Sequence, residues 1–378
     1  MTRRLRIAVA TTGRFHVLDL ARELHALGHH VQFYSSLPRG RVANFGLPTA
    51  RHTSLLPLTA APLAWGRFAP QLAPKLQERA LYAAVNHAVI WRLQPCDVFI
   101  CMSGIYLEAM RHARRRFGAR IWLERGSRHI LSQDRILSAI PGAARPSPLT
   151  IRRELAGYAL ADRIVAPSSH VAESFSDDPA AHAKLFQNPY GTDLAMFPLS
   201  AAHPPSDPFT FVFAGGWSLR KGCDVLTSAI KATPGVRLIH LGPIIDLPFP
   251  AGDPRFTHID TAPQNELARH YASADAFVLA SREDGFGVVL SQALATGLPI
   301  ICTDRTGGAD LAHSPALAEH ITIVPHGDAG ALASAMHGLK EQLSAGRAPA
   351  ALTESDRASL SWAAYAQRYS DELLADVA

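Results

Sequence analysis

Cysteine is scarce in this 378-residue chain, and Cys96, Cys101, Cys223 and Cys302 form neither a metal-ligand pair spacing nor a disulfide framework. That excludes a thiolate metal centre and a disulfide-built scaffold, and it points to a reduced, cytoplasmic setting. No window approaches the roughly 18 uninterrupted apolar residues of a membrane-spanning helix. The opening MTRRLRIAVATTGRFH sets a basic flank before a short apolar run, as a secretory leader does. Gly13, Arg14 and His16 interrupt that run and no small-residue cleavage site follows, so it reads as a first strand. The chain also lacks basic-aromatic single-strand motifs and any recognition-helix signature, which leaves nucleic acid out as a partner.

A chain of this length is long for one core and comfortable for two. With 48% hydrophobic and 18% charged residues it is a folded protein and not a disordered tail. The net charge of +5 hides an asymmetry: residues 1–197 hold 25 Lys+Arg against 13 Asp+Glu, whereas residues 198–378 hold 12 against 19. The basic half is either an arginine-rich solvated face or a surface for an anionic acceptor or an anionic membrane.

Apolar runs of strand length alternate with helical patterns in both halves, which predicts parallel sheets with crossover helices. In the first half the strands are 5–11, 30–36, 97–103, 119–125 and 162–168, with a helix over 18–28. In the second they are 209–216, 236–242, 274–281, 298–304 and 321–327, with a helix over 223–233. Residues 197–209 contain four prolines and read as the linker between domains 1–197 and 198–378. A last helix, about 355–375, can pack back on the first domain. Residues 61–92 stand apart and run into a helix that either docks on a membrane interface through Trp65, Phe68 and Trp91 or packs within its own domain.

Two open α/β domains joined by a linker set the carboxyl ends of their strands around one cleft, where ligands bind in such sheets. The stretch SREDGFGVVLSQALATGLPII, residues 281–301, lies at such a strand end. Its helix begins after Gly285, Phe286 and Gly287, so unpaired N–H groups and a positive dipole suit an anion or sugar hydroxyls. Asp284 either caps that helix or reads a ligand. GGWSLRKG, residues 215–222, places Arg220 and Lys221 ahead of another helix. It is not a Walker A loop, because the spacing and the Lys-Ser/Thr pair are missing, but two adjacent cations at a strand-to-helix turn suit a diphosphate.

Taken together, DGFGVVLSQALATGLPIICTDRTGGADL, the preceding NELARHYASADAFVLAS, NPYGTDLAMF, FAGGWSLRKG and VPHGDAGALASAM resemble the motifs of family-4 glycosyltransferases of the GT-B fold. GRFHVLDLARELHALGHHV and ERGSRHI resemble acceptor-side motifs of one bacterial branch, of glycan or exopolysaccharide type. The resemblance runs nearly end to end. It implies two Rossmann-like domains facing a cleft and retaining transfer of a sugar from a nucleoside diphosphate sugar to a glycan, lipid-linked or phosphorylated acceptor. It implies no metal and no cofactor beyond the donor substrate, and the sequence offers no Asp-x-Asp motif.

By that resemblance Asp284, with Glu283 beside it, binds hydroxyls of the transferred sugar, Gln292 grips the ribose, and Arg220 and Lys221 hold the diphosphate with Gly215 and Gly216. Gly13, Arg14 and His16 are expected beneath the diphosphate from the opposite domain. His129, with His16 as second choice, is expected to face the reacting sugar, with Glu124 and Arg125 at the same strand end on the acceptor side. Two departures stand out: the family usually has Glu where this chain has Asp284, and an acid where it has Gln292. The rival readings are a GT-B epimerase or hydrolase that consumes donor without acceptor, and a sugar-nucleotide-binding protein that does not catalyse.

Overall fold

A computed structural model describes residues 3–201, 203–260 and 264–377; Ala202, within the proline-rich linker, lies outside them. The first sheet contains β1 (Arg6–Thr11), β2 (His30–Ser35), β3 (His52–Ser54), β4 (Val98–Met102), β5 (Arg120–Glu124), β6 (Arg163–Ala166) and β7 (Leu185–Gln187). Their order is 3-2-1-4-5-6-7 and every pairing is parallel. The second contains β8 (Phe209–Ala214), β9 (Val236–Leu241), β10 (Phe256–Ile259), β11 (Ala276–Leu279), β12 (Ile300–Thr303) and β13 (Ile321–Val324), in the order 10-9-8-11-12-13, again parallel.

The strands form where the chain is apolar on both faces. FTFVFA of β8 and AFVL of β11 are buried at every position, as helices covering both sides of a parallel sheet require. Three strands depart from the expectation. β3 (HTS), β7 (LFQ) and β10 (FTHI) are short, partly polar edge strands, paired on one side only, and carry too little apolar pattern to announce themselves.

Residues 61–92 form two helices instead of a lead-in to one: Leu56–Phe68 and Pro74–Arg92. Pro70 and Pro74 interrupt the chain, Ala73 takes a φ of 49°, and the Gln77 side chain donates to the Ala69 and Leu72 carbonyls to close the bend. The hairpin starts two residues after β3, at the carboxyl edge of the sheet. Its returning helix buries Val85, Asn86, Ala88 and Val89 near its lower end, while Phe68, Leu72 and Leu76 at the tip are 79%, 63% and 57% exposed.

The helix Trp362–Val377 lies against the first-domain helix Phe15–Ala26. Asp376 pairs with Arg120 at 2.6 Å and accepts from the Trp122 indole, and His29 meets Ser370 at 2.9 Å. Where the chain crosses back, Thr192 bridges Ser361, and a side chain on Gly191 would lie 2.6 Å from the Ser361 and Trp362 backbone. Each sheet order reverses direction between β1 and β4 and between β8 and β11, so each domain turns a ligand-binding crevice toward its partner.

Candidate active site between the two sheets

The carboxyl ends of β8 and β11 carry the two loops singled out above, and the structure ties them to each other. Gly222 takes a φ of 67°, and a Cβ there would lie 2.0 Å from the Ala280 carbonyl oxygen, so only glycine lets the loops approach. The Arg282 N–H donates to the Arg220 carbonyl at 3.0 Å, and the Arg282 guanidinium grips Asp224 at 2.6 Å. This frame brings Lys221 into an ion pair with Asp284, and Arg220 to 3.2 Å from the fully buried Glu283 carboxylate. Burial pushes the Asp284 pKa up, but Lys221 and Arg220 together outweigh it and hold the carboxyl below its usual value. The site is therefore two preformed cation–carboxylate pairs across a loop junction.

Gly215 and Gly216 open the first loop. The carbonyl of Gly215 accepts from His240 Nε2 at 2.8 Å, and the Trp217 ring packs tilted against the same imidazole at 5.0 Å, which fixes the loop from beneath. A cavity of about 420 Å³ runs between Gly216, Ser218, Arg220 and Lys221 of the second domain and Leu137 and Ala144 of the first. Gln292, one turn into the helix Val288–Ala295, is 6% exposed, and its Oε1 has no hydrogen-bond partner among the described residues. A buried acceptor of this kind is left to water or to a ligand for its hydrogen bond.

Phe286 is buried between the domains. Its ring meets Tyr190 edge-on at 5.5 Å, Tyr190 packs on His16 at 4.3 Å, and His16 Nε2 lies 2.9 Å from Glu124 Oε2. Tyr369 donates to the other Glu124 oxygen at 2.7 Å. Glu124 is thus fully enclosed, held by His16 on one oxygen and Tyr369 on the other. Gly285 approaches the first domain so closely that a Cβ would lie 1.7 Å from the Gly126 carbonyl oxygen. Gly287 takes a φ of 81° at the mouth of its helix.

Three of the expected residues lie elsewhere. His129 caps the helix Ile130–Ser138 through Nδ1, which accepts from the Leu131 N–H, and its ring packs on Tyr158 and Phe175 inside the first domain. Burial pushes its pKa down. Arg125 is also turned inward and donates to the Arg128 carbonyl, Glu154 and Gln133, bracing its own loop. Arg14 lies over the Phe45 ring at 4.1 Å and lines a second cavity, of about 470 Å³, that includes Arg22, Asp193 and Trp362. Gly13 remains in the loop after β1, with its N–H 3.4 Å from Thr11 Oγ1.

Sequence reasoning missed Ser168, His170 and Gly126. Ser168 Oγ donates to the Gly285 carbonyl at 2.6 Å, and His170 Nε2 lies 2.7 Å from the Asp284 carbonyl oxygen. Burial, with Arg128 nearby, pushes the His170 pKa down to about 4. The trace of Ser168 and His170 in the sequence is a Ser-Ser-His after β6, and the chain has 18 histidines to choose among, while Gly126 lies inside the ERGSRHI motif without being marked as a contact.

Residues 208–342 match the family described as "Glycosyl transferases group 1". The chain is 32% identical over 187 residues to a GDP-mannose-dependent alpha-mannosyltransferase of Mycobacterium tuberculosis, covering 46% of this chain and 48% of that protein. It is 29% identical over 177 residues to a D-inositol 3-phosphate glycosyltransferase of Segniliparus rotundus, covering 40% and 38%. The chain thus spans about half the length, or less, of these curated relatives. Among solved structures, the sucrose-phosphate synthase of Thermosynechococcus elongatus superposes with a TM-score of 0.73 at 19% identity over 98% of both chains. Anabaena HepE in complex with UDP-glucose gives 0.66 at 14% identity, over 98% of this chain and 100% of that one. These likenesses show the fold: two parallel-sheet α/β domains facing a cleft, the GT-B arrangement.

Proposed function

We propose that this chain is a family-4, retaining, metal-independent glycosyltransferase that moves a sugar from a nucleoside diphosphate sugar to a hydroxyl of a glycan, lipid-linked or phosphorylated acceptor. The observation that carries the reading is the double pair Arg220–Glu283 and Lys221–Asp284 at an interdomain cavity. A diphosphate entering there exchanges carboxylates for phosphate oxygens on both cations. The released Asp284 then faces the sugar hydroxyls, and the unpartnered Gln292 Oε1 accepts from a ribose hydroxyl. Charge developing on the leaving phosphate meets Arg220 and Lys221 already in position, where electrostatic stabilisation acts most strongly on the rate.

Retention follows the resemblance to the family, whose reaction is described as front-face substitution with the leaving phosphate assisting deprotonation of the acceptor. His16, oriented by Glu124, is the polar side chain on the acceptor side in this reading. The two relatives named above are a GDP-mannose-dependent enzyme and an inositol-phosphate glycosyltransferase, and HepE was solved with UDP-glucose. Donors of that class are the ones to try.

We further propose a cytoplasmic protein that touches an anionic membrane peripherally. The support is the helical hairpin at the carboxyl edge of the first sheet, with exposed Phe68, Leu72 and Leu76 beside Arg67 and Lys75. No helix among the described residues is long and apolar enough to cross a membrane.

The test is nucleoside diphosphate release from a panel of nucleotide sugars, with and without acceptors. Acceptor-dependent release, with the sugar recovered on the acceptor in unchanged anomeric configuration, supports transfer with retention. Consumption of donor alone favours the epimerase or hydrolase reading, and tight binding without turnover favours a non-catalytic binding protein.

A further inference from the structure

We infer that Ser168 and His170 are positioning residues: they reach from the first domain, hold the carbonyls of Asp284 and Gly285, and so fix the orientation of the donor turn's peptide units and of the Asp284 carboxylate that the turn holds. The inference rests on the reading of residues 283–287 as part of the donor site.

The turn has little of its own to fix it. Gly285 and Gly287 flank Phe286, and the Gly287 φ of 81° lies where glycine moves freely. Its carbonyls are nevertheless all held. The Asp284 oxygen lies 2.7 Å from His170 Nε2, the Gly285 oxygen accepts from Ser168 Oγ at 2.6 Å, and the Phe286 oxygen accepts from the Gly307 N–H at 2.7 Å. Two of these three donors come from the opposite domain.

A trans peptide is planar, with its C=O and N–H pointing in opposite directions. Holding the Asp284 carbonyl therefore aims the Gly285 N–H away from the first-domain loop, and holding the Gly285 carbonyl does the same for the Phe286 N–H, which bonds the Asp284 carboxylate. The direction of three successive peptide units is set partly from across the cleft. Ser168 is fully buried and His170 is 5% exposed, and the one hydroxyl proton of Ser168 and the one N–H of the neutral imidazole each go to a carbonyl of the turn. Because the contacts join two domains, the donor turn is complete only when the domains are together.

The test uses the full chain and the variants Ser168→Ala, His170→Ala and His170→Gln, since a glutamine amide can still donate to the Asp284 carbonyl. In the free protein, amide hydrogen exchange of residues 285–288 should accelerate at least tenfold in the two alanine variants while β8 and β11 stay protected. Unchanged exchange in the turn overturns the inference. With the best nucleotide sugar, the alanine variants should raise donor KM about tenfold and His170→Gln should recover most of that loss. A donor KM that stays at the wild-type value overturns it as well, as does a general loss of protection in β8 and β11, which marks a merely structural role. Faster exchange in the turn of the alanine variants, when even the wild type binds no nucleotide sugar, overturns the donor-site reading, and the positioning role with it, while leaving the interdomain contact standing.

Discussion

Gly285→Ala isolates the closed arrangement of the two domains with one methyl group. The φ of Gly285 is not among the positive values, so alanine brings no backbone strain of its own. What it meets is the other domain: the Gly126 carbonyl oxygen at 1.7 Å, the Gly126 carbonyl carbon at 2.5 Å and Ser127 Cα at 3.1 Å. These are backbone atoms, and no rotamer change relieves them. Ordinary contact is restored only if the domains retreat by about 1.5 Å or the turn shifts by a similar amount, on the scale at which a displacement of about 1 Å costs roughly 100-fold in rate. The expected result is kcat/KM down about 100-fold, with stability lowered by no more than the ~1–3 kcal/mol of an overpacked contact. Because the strain lies between domains, small-angle scattering should show a larger radius of gyration in the variant while each domain keeps its protected amides. Wild-type turnover and an unchanged scattering profile would mean that the working state does not include the Gly126–Gly285 contact.

Gln292→Glu should leave donor affinity unchanged or tighten it up to about tenfold in a calorimetric titration, because a charge-assisted acceptor is stronger than an amide; a collapse of binding would remove Gln292 from the ribose contact. His170 has a folded pKa of about 4 against 6.5 when free, so both states are neutral above pH 6.5, and as pH falls from there toward 4 the unfolded chain takes up a proton the folded one refuses. Its contribution to stability is thus present above 6.5 and lost on acidification, by up to about 3 kcal/mol at pH 4, and urea midpoints should fall less steeply with pH in His170→Gln. Phe68→Asp with Leu72→Asp should abolish co-sedimentation with phosphatidylglycerol vesicles while leaving turnover of a water-soluble acceptor near wild type; retained sedimentation would exclude the hairpin tip as the membrane contact.

The sheets were legible in the sequence because buried parallel strands are written as uninterrupted apolar runs, and RIAVA, FTFVFA and AFVLA are read directly. The edge strands were not, since HTS and LFQ carry no period. The second-domain part of the candidate site is written in local features, glycine spacing, adjacent cations and a lone amide, and the structure brings Lys221 to Asp284 and Arg220 to Glu283 across 63 positions of chain. The first-domain wall is not. His129 follows the end of β5 as a cleft residue would, but the need of the helix Ile130–Ser138 for an N-cap turns its ring inward. Arg125 pairs with Glu154 Oε1 in the same layer. Ser168 and His170 act through backbone carbonyls of the other domain, and a contact of that kind leaves no pattern in either segment.

If Arg220, Lys221, Asp284 and Gln292 form one nucleoside diphosphate sugar site, a thermal-shift screen of such donors will reveal it. At a donor concentration about 100 times its dissociation constant, the matching compound should stabilise the wild type by roughly 2.7 kcal/mol, and Lys221→Ala should lose most of that shift. No shift from any donor, or the same shift in Lys221→Ala, would contradict the account.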